Sequence, residues 1–468
     1  MKSIRFRGES MNLLDKISNV ISEIDGIMWG LPMIIFLLGS HVVLTFITKF
    51  VQKATFKGIK LSLQKENGGE GELSVFGALM TALSSTIGTG NIVGVATAIY
   101  FGGPGAVFWT WVGGIFGIAT KYAESYIAVK HRVKHSNGQY SGGAMTAFEK
   151  LNKKGLAKLF AICSALAAFG IGCATQASAI VDSLSNSFTI PNWISGLVLC
   201  IITAVVIFGG VKSISKVCER LVPVMSIVYV IGCVAILIFN GKYLPQTISL
   251  IISSAFTTKA AAGGFVGTTI ITAARYGIAR GLFSNEAGMG SAPMAAAAGK
   301  SKNAVKPALI GATGVFWDTV VVCLATGLVI VSSVIGNDGI SCLNYQNGSE
   351  LVQACFSQIP LIGTPLFVFG IITFAYSTIL GWSYYGVTSV RYLFGHKSIK
   401  IYQALWIVVI FLGATVNLNT IWNISDILNA VMCIPNIIAV FMLRKEIAKD
   451  TQYYLYENHL DEVDTSLE

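Results

Sequence analysis

Charge is scarce in this chain of 468 residues. Asp, Glu, Lys and Arg make up only 12% of it, while 53% is hydrophobic. An ordinary soluble domain carries roughly twice that charge, so the composition excludes a soluble globular protein. Histidine is also sparse, at five residues. No HExxH string occurs, and the one close pair, in KHRVKH at 130–135, reads as solvated basic surface, which argues against a membrane metalloenzyme. The nine cysteines form no CxxC pair, so neither a zinc ribbon nor a dithiol redox centre is indicated. Most suit small apolar packing. Cys342 and Cys355 share a loop expected to face an oxidising side, which leaves a disulfide between them open. No soluble basic domain exists to give the net charge of +10 a nucleic-acid role. The first 20 residues hold no compact apolar core or cleavage site, so the first span is expected to serve as the insertion signal.

What the chain has instead is long apolar runs from Ile27 to Met442, with 26 Phe, 16 Tyr and 8 Trp. Such a load suits lipid-facing helices and interfacial belts. Eleven membrane helices are expected near 22–50, 75–100, 104–130, 157–182, 191–210, 218–240, 251–279, 306–335, 361–390, 400–418 and 423–444. Basic residues crowd alternate connections: five at 49–65, seven at 130–158, three at 212–220, five at 275–306, three at 391–400 and three at 444–449. The intervening loops are nearly bare. Basic residues stay in the cytoplasm, so the pattern predicts a multi-pass protein of the cell membrane with the N-terminus outside and the C-terminus cytoplasmic. Lys2, Arg5, Arg7 and Lys16 oppose that placement of the N-terminus.

One near-uncharged run, Thr81–Ala106, carries Ser84, Ser85, Thr86, Thr89 and Asn91 at membrane depth, with Gly88, Gly90 and Gly94 between them. Polar groups there are costly unless paired and mark ligand or ion paths. Glycines let the helix open and free backbone groups as ligands. The expected seventh helix has a similar interruption at Gly263, Gly264 and Gly267. Paired breaks predict an all-α inverted repeat of five plus five helices with one extra N-terminal helix. Residues 1–50 are then the N-terminal segment, 75–240 and 251–444 the two repeats, and 445–468 a cytoplasmic tail. Two single, unlike breaks suit one occluded site better than a channel pore.

Several strings resemble the alanine or glycine:cation symporters, the sodium:alanine symporter group: LSSTIGTGNIVGVATAIYFGGPGAVF at 83–108, WTWVGGIFGIATKYAE at 109–124, ARGLFSNEAGMGSAP at 279–293, FWDT at 316–319 and FAYSTILGWSYYG at 374–386. The matches run in the family's order over about 15–445. The resemblance implies a fold like the leucine transporter and sodium-coupled uptake of alanine or glycine. Another small zwitterionic or carboxylate solute is the alternative. The chain departs from the family's usual Asn at Cys173 and Ser178, has no His after Pro293, and has Val387 where Glu is frequent. The first two changes bear on substrate preference.

An α-amino acid needs donors for its carboxylate and acceptors for its ammonium. Opened amides at Gly88, Thr89 and Gly90 can receive the carboxylate at a half-helix N-terminus, with Asn91 adding its side chain. Carbonyls at Gly263 and Gly264 are expected to accept from the ammonium, and Phe265 to lie against the solute. Gln176 is a lone amide that serves either the pocket or interhelical bonding. Trp382 either walls the pocket or anchors at the interface. No acidic residue lies near Gly88 in sequence, which suits a zwitterion. The ion site is placed on the carbonyls of Thr86 and Ile87 and the hydroxyls of Ser377 and Thr378, which alternatively bond their own helix. The residues alone allow sodium or protons; the resemblance implies Na+. Asp318 is expected to pair with Arg275 or Arg280 or to shape the ion path. Lys121–Glu124 and Glu286–Arg280 are expected to form cytoplasmic ion pairs that help close an inner gate.

Overall fold

Helix starts follow their sequence cues. Ser74 caps its helix by accepting from the Gly77 amide at 2.8 Å, and Thr269 caps another through the Thr272 amide. Pro32, Pro245 and Pro293 occupy first-turn positions, where no amide is needed. The computed structural model describes residues 13–64, 68–136, 138–258, 264–265, 267–345, 348–416 and 419–467. Its helices are α1 (Leu13–Met28), α2 (Leu31–Ile47), α3 (Thr55–Ser62), α4 (Val75–Thr86), α5 (Val95–Gly102), α6 (Gly105–Lys130), α7 (Ala144–Lys150) and α8 (Lys154–Phe169). There follow α9 (Thr175–Phe188), α10 (Asn192–Ile207), α11 (Gly210–Phe239), α12 (Leu244–Phe256), α13 (Ile270–Asn285), α14 (Pro293–Ala298), α15 (Val305–Val315) and α16 (Leu324–Gly336). The last are α17 (Gly348–Phe356), α18 (Gly363–Phe394), α19 (Ser398–Thr415), α20 (Asn419–Met442) and α21 (Arg444–Asp450).

Apolar and polar residues are distributed as a bilayer requires. Ile27, Val205, Ile238 and Ile401 stand exposed, whereas Ser84, Asn91, Asp318 and Ser377 are fully buried. Among the described residues, seven helices are long and apolar enough to cross a membrane. The pair Val75–Thr86 and Gly90–Gly102, bent by 50°, makes eight. The protein is therefore a polytopic, multi-pass all-α membrane protein. The expected eleven exceed this for reasons of charge and of length. α6 is one long helix but carries Lys121, Glu124 and Lys130, and α10 has only 16 residues.

The expected helix at 251–279 is a correction. α12 ends at Phe256, and α13 starts afresh at Ile270. The interruption that follows α13 runs from Glu286, in a left-handed turn, to α14 at Pro293. Gly288 and Gly290 both have positive φ there. Wide π turns occur at four other places among the described residues, Gly90–Gly94, Gly170–Ala174, Phe316–Cys323 and, after α21, Thr451–Tyr456. Such turns recur at functional sites because they leave backbone groups unpaired.

The basic connections gather at one end with the C-terminal segment. Lys49 bonds Gln452, Lys306 pairs with Asp461 at 3.3 Å, and Asn303 donates to the carbonyls of Leu460 and Glu462. Lys130 reaches both Asp450 and Asp464, and the Asp464 amide donates to the Lys302 carbonyl at 2.8 Å. A two-stranded hairpin, β1 (Val133–Lys134) and β2 (Tyr140–Ser141), lies at this end too. There Tyr140 and Lys134 bond Glu70 and hold its carboxyl below the usual range. Cys342 and Cys355 are both buried and unbridged.

Candidate functional site

The first break begins where α4 stops. Ile87 is extended, so its carbonyl leaves the helix ladder. Ser377 of α18 donates to that carbonyl at 3.3 Å while also bonding Phe374 O at 2.8 Å. Thr378 bonds Phe374 O at 3.0 Å, and its Oγ1 lies 2.4 Å from where a Cβ on Gly88 would sit. Only glycine permits that approach. Thr86 and Thr378 line the same cavity. Ile87, Ser377 and Thr378 are thus drawn together around hard oxygens, the donor type a small alkali cation takes. The Thr86 hydroxyl returns to the carbonyls of Ala82 and Leu83, leaving its own carbonyl as the group on offer.

Above this cluster is a cavity of about 10 Å³ bounded by Gly88, Thr89, Gly90, Gln176, Phe283 and Trp382, with Ser284 and Glu286 of the second break beside them. That volume suits about one water, so the site is nearly collapsed. Thr89 Oγ1 donates to Gln176 Oε1 at 3.1 Å, and Gln176 Nε2 donates to Ile171 O at 2.9 Å, inside the π turn. Gln176 therefore bonds across helices and lines the cavity at once. Trp382 is 1% exposed, and its Cβ lies 2.1 Å from where a Cβ on Gly172 would sit. It stands at the centre of the protein, away from any interface. Thr89 also lines a vestibule of about 560 Å³ with Thr175, Ser178, Asp182, Glu350 and Gln353. Ser178, one of the two departures, faces this vestibule; Cys173 is buried against Trp406 O.

Asn91 lies behind the cavity. Its Oδ1 accepts from the Gly88 amide at 2.8 Å, and its Nδ2 donates to Asp318 Oδ1 at 2.7 Å. Ser284 and Thr319 also donate to Asp318. Neither Arg275 nor Arg280 pairs with it: Arg275 reaches Gly26 O and Arg280 lies over Phe283. Asp318 is held by neutral donors from both breaks, which corrects the expected ion pair.

Gly264 and Phe265 sit elsewhere. The Gly264 carbonyl accepts from Cys342 N at 2.9 Å and from Ser341, and Phe265 is buried without reaching the cavity. Gly263 lies outside the described residues. The aromatic beside the solute cavity is Phe283, and the second backbone break is at 286–292. The sequence signal for both is the string RGLFSNEAGMGSAP at 280–293.

The second break is stapled by buried charge. Lys121 donates to Glu286 O at 2.9 Å, Ser291 donates to the Glu286 carboxylate, and Asn436 donates to both Glu124 and Gly288 O. Lys121, Glu124 and Glu286 are each at most 3% exposed, and the expected Lys121–Glu124 ion pair does not form: the Lys121 ammonium goes to the Glu286 carbonyl instead. Glu286 has no contact with Arg280.

The family model described as the sodium:alanine symporter family matches residues 14–466. The sodium/alanine symporter AgcS of Methanococcus maripaludis is 43% identical over 444 residues, covering 93% of this chain and 97% of that one. An uncharacterized transporter of Haemophilus influenzae is 42% identical over 456 residues, covering 95% and 98%. Among solved structures, MhsT in complex with L-phenylalanine aligns with a TM-score of 0.61 at 16% identity, covering 86% of this chain and 96% of that chain. At that identity the likeness concerns the fold alone, a membrane fold related to the leucine-transporter type.

Proposed function

We propose a residue-level mechanism from one premise: the chain belongs to the sodium:alanine symporter family and carries out sodium-coupled symport of small neutral amino acids. It is a transporter, not an enzyme, and Na+ is its coupling ion. The preferred solutes are alanine and glycine. The observation that carries this is the placing of two bulky aromatics, Trp382 and Phe283, as walls against the opened Gly88–Gly90 backbone.

In this reading the amino acid's carboxylate meets the amides of Gly88, Thr89 and Gly90 at the positive end of the following half-helix. Its ammonium meets the carbonyls and side chains of the second break, at Ser284 and Glu286, in the role first assigned to Gly263 and Gly264. Gln176 orients Thr89, and Trp382 and Phe283 bound the side chain. Sodium sits on the carbonyls of Thr86 and Ile87 and the hydroxyls of Ser377 and Thr378. Because Gly88 packs on Thr378, filling the ion site fixes the backbone that binds the solute, and by linkage the solute tightens the ion.

The two breaks, α4–α5 and α13–α14, open two opposed five-helix repeats with one extra N-terminal span, eleven in all. The basic end with the docked C-terminal segment is cytoplasmic, and the N-terminus lies outside. The vestibule at Thr89 is then the outer entrance, and the Lys121–Glu124–Glu286 network is the closed inner side.

Uptake of alanine, glycine, serine and leucine into proteoliposomes, in sodium and in choline media, tests this. Alanine and glycine are expected to accumulate only with an inward sodium gradient. Equal uptake in choline overturns sodium coupling, and leucine uptake matching alanine overturns the small pocket.

A further inference from the structure

A second cavity, of about 520 Å³, lies among the basic-end turns of α11, α18 and α19, well away from the solute site. Its floor is apolar: Val211, Ile214 and Val387 are buried, and Tyr384 closes it beneath. Arg391, His396, Lys397 and Lys400 stand around its mouth. None of these four makes an ion pair among the described residues. The Nε of Arg391 is buried without a hydrogen-bond partner. A buried, unpaired guanidinium nitrogen is costly and calls for an acceptor.

No described side chain accepts from that nitrogen. Glu72, an acid within electrostatic reach of Arg391, is turned to the Tyr140 amide at 2.6 Å. His135, from the hairpin beside the cavity, offers no compensating negative charge; burial and the charges of Arg391 and His396 hold it below the usual histidine range, toward its neutral form. Lys212, on α11, is a further cation near Glu72. The first turn of α19, with Ile399 and Lys400, opens onto the cavity and brings the positive end of a helix. Retention of basic residues at one membrane face explains charges scattered over exposed loops. It does not explain an arginine nitrogen buried over an apolar floor.

We propose that this cavity binds the phosphodiester headgroup of an anionic phospholipid. The phosphate sits between Arg391 and the two lysines, and an acyl chain leaves over exposed Phe208 along Ile401 and Leu405 of α19. Basic pockets between membrane helices take headgroups in this manner. The exit over lipid-facing side chains favours a lipid over a free anion.

Native mass spectrometry of the full chain in detergent, with phosphatidylglycerol and phosphatidylcholine supplied equally, is the test. The parent is expected to retain phosphatidylglycerol selectively. Lys397→Gln with Lys400→Gln should lower that retention roughly tenfold, and Arg391→Gln should abolish it. The exposed lysine pair carries the test even where the arginine variant fails to fold. Lys216→Gln with Arg220→Gln, on a separate basic stripe of α11, should change nothing. Retention unaltered in the lysine variant overturns the proposal, as does equal loss in the α11 variant. Displacement by excess inorganic phosphate overturns the lipid assignment in favour of a free-anion site.

Discussion

The two interrupted helices solve one problem with opposite chemistry. At the first break the exposed backbone is met by neutral groups: Asn91 takes the Gly88 amide, Ser377 gives to Ile87 O, and Thr378 packs on Gly88. At the second, formal charges do the work: Lys121 caps Glu286 O, and Asn436 ties Glu124 to Gly288 O. Neutral hydrogen bonds contribute about 1 kcal/mol each and exchange readily with a ligand. Buried charges are far costlier to uncouple. The first break is thus fitted to admit solute and ion, and the second to stay shut until the whole network rearranges.

The largest effect should come from breaking the charged side. Lys121→Met removes the buried ammonium that donates to Glu286 O, and loss of such a charged hydrogen bond costs about 1.5–3 kcal/mol. Thermal unfolding in detergent should show a marked loss of stability, partly regained when Glu286→Gln is added. A single variant as stable as the parent would refute the assignment of Lys121 as the staple. Next, Thr378→Ala removes a hydroxyl from the ion cluster. The sodium needed for half-maximal alanine uptake should rise about tenfold, equivalent to ~1.4 kcal/mol; an unchanged requirement would place the ion elsewhere.

A smaller effect is expected at the cavity wall. Trp382→Ala should relax discrimination against leucine, read as the ratio of leucine to alanine inhibition of sodium-driven uptake. Each methylene is worth only roughly 1–3 kcal/mol of discrimination, so a shift of several-fold is the expected scale, and a constant ratio removes Trp382 from the pocket. Smallest of all, Thr86→Val deletes a hydroxyl that only bonds its own helix. Sodium dependence should stay within about twofold; a larger change would make the hydroxyl, rather than the carbonyl, the ligand.

Legibility in the sequence followed the same division. The first break was readable because its signals are local: glycines and hydroxyls in one run, and a helix at 75–86 that ends on them. Apolar spans were readable for the same reason, with 306–335 and 361–390 observed as Val305–Gly336 and Gly363–Phe394. The second break was misplaced because Gly263, Gly264 and Gly267 form the denser cluster. The observed break depends on Lys121 and Asn436, which come from α6 and α20. Periodicity carries no trace of such a contact. Phe283 was missed likewise, since only the packing of α13 against α5 and α6 puts it at the cavity.

The docked C-terminal segment has a mechanical consequence. Asp464 holds the α6 end through Lys130 with its side chain, and the stretch before α15 through Lys302 with its backbone. α6 and α15 pack against each other, and the segment bridges their ends. Any rocking that parts them must extend the segment or pull it free, so a change in distance becomes stored energy. The tail behaves as a return spring whose stiffness is set by a few largely buried ionic contacts. Salt screens such contacts far less than exposed ones, so the tie should hold as ionic strength rises.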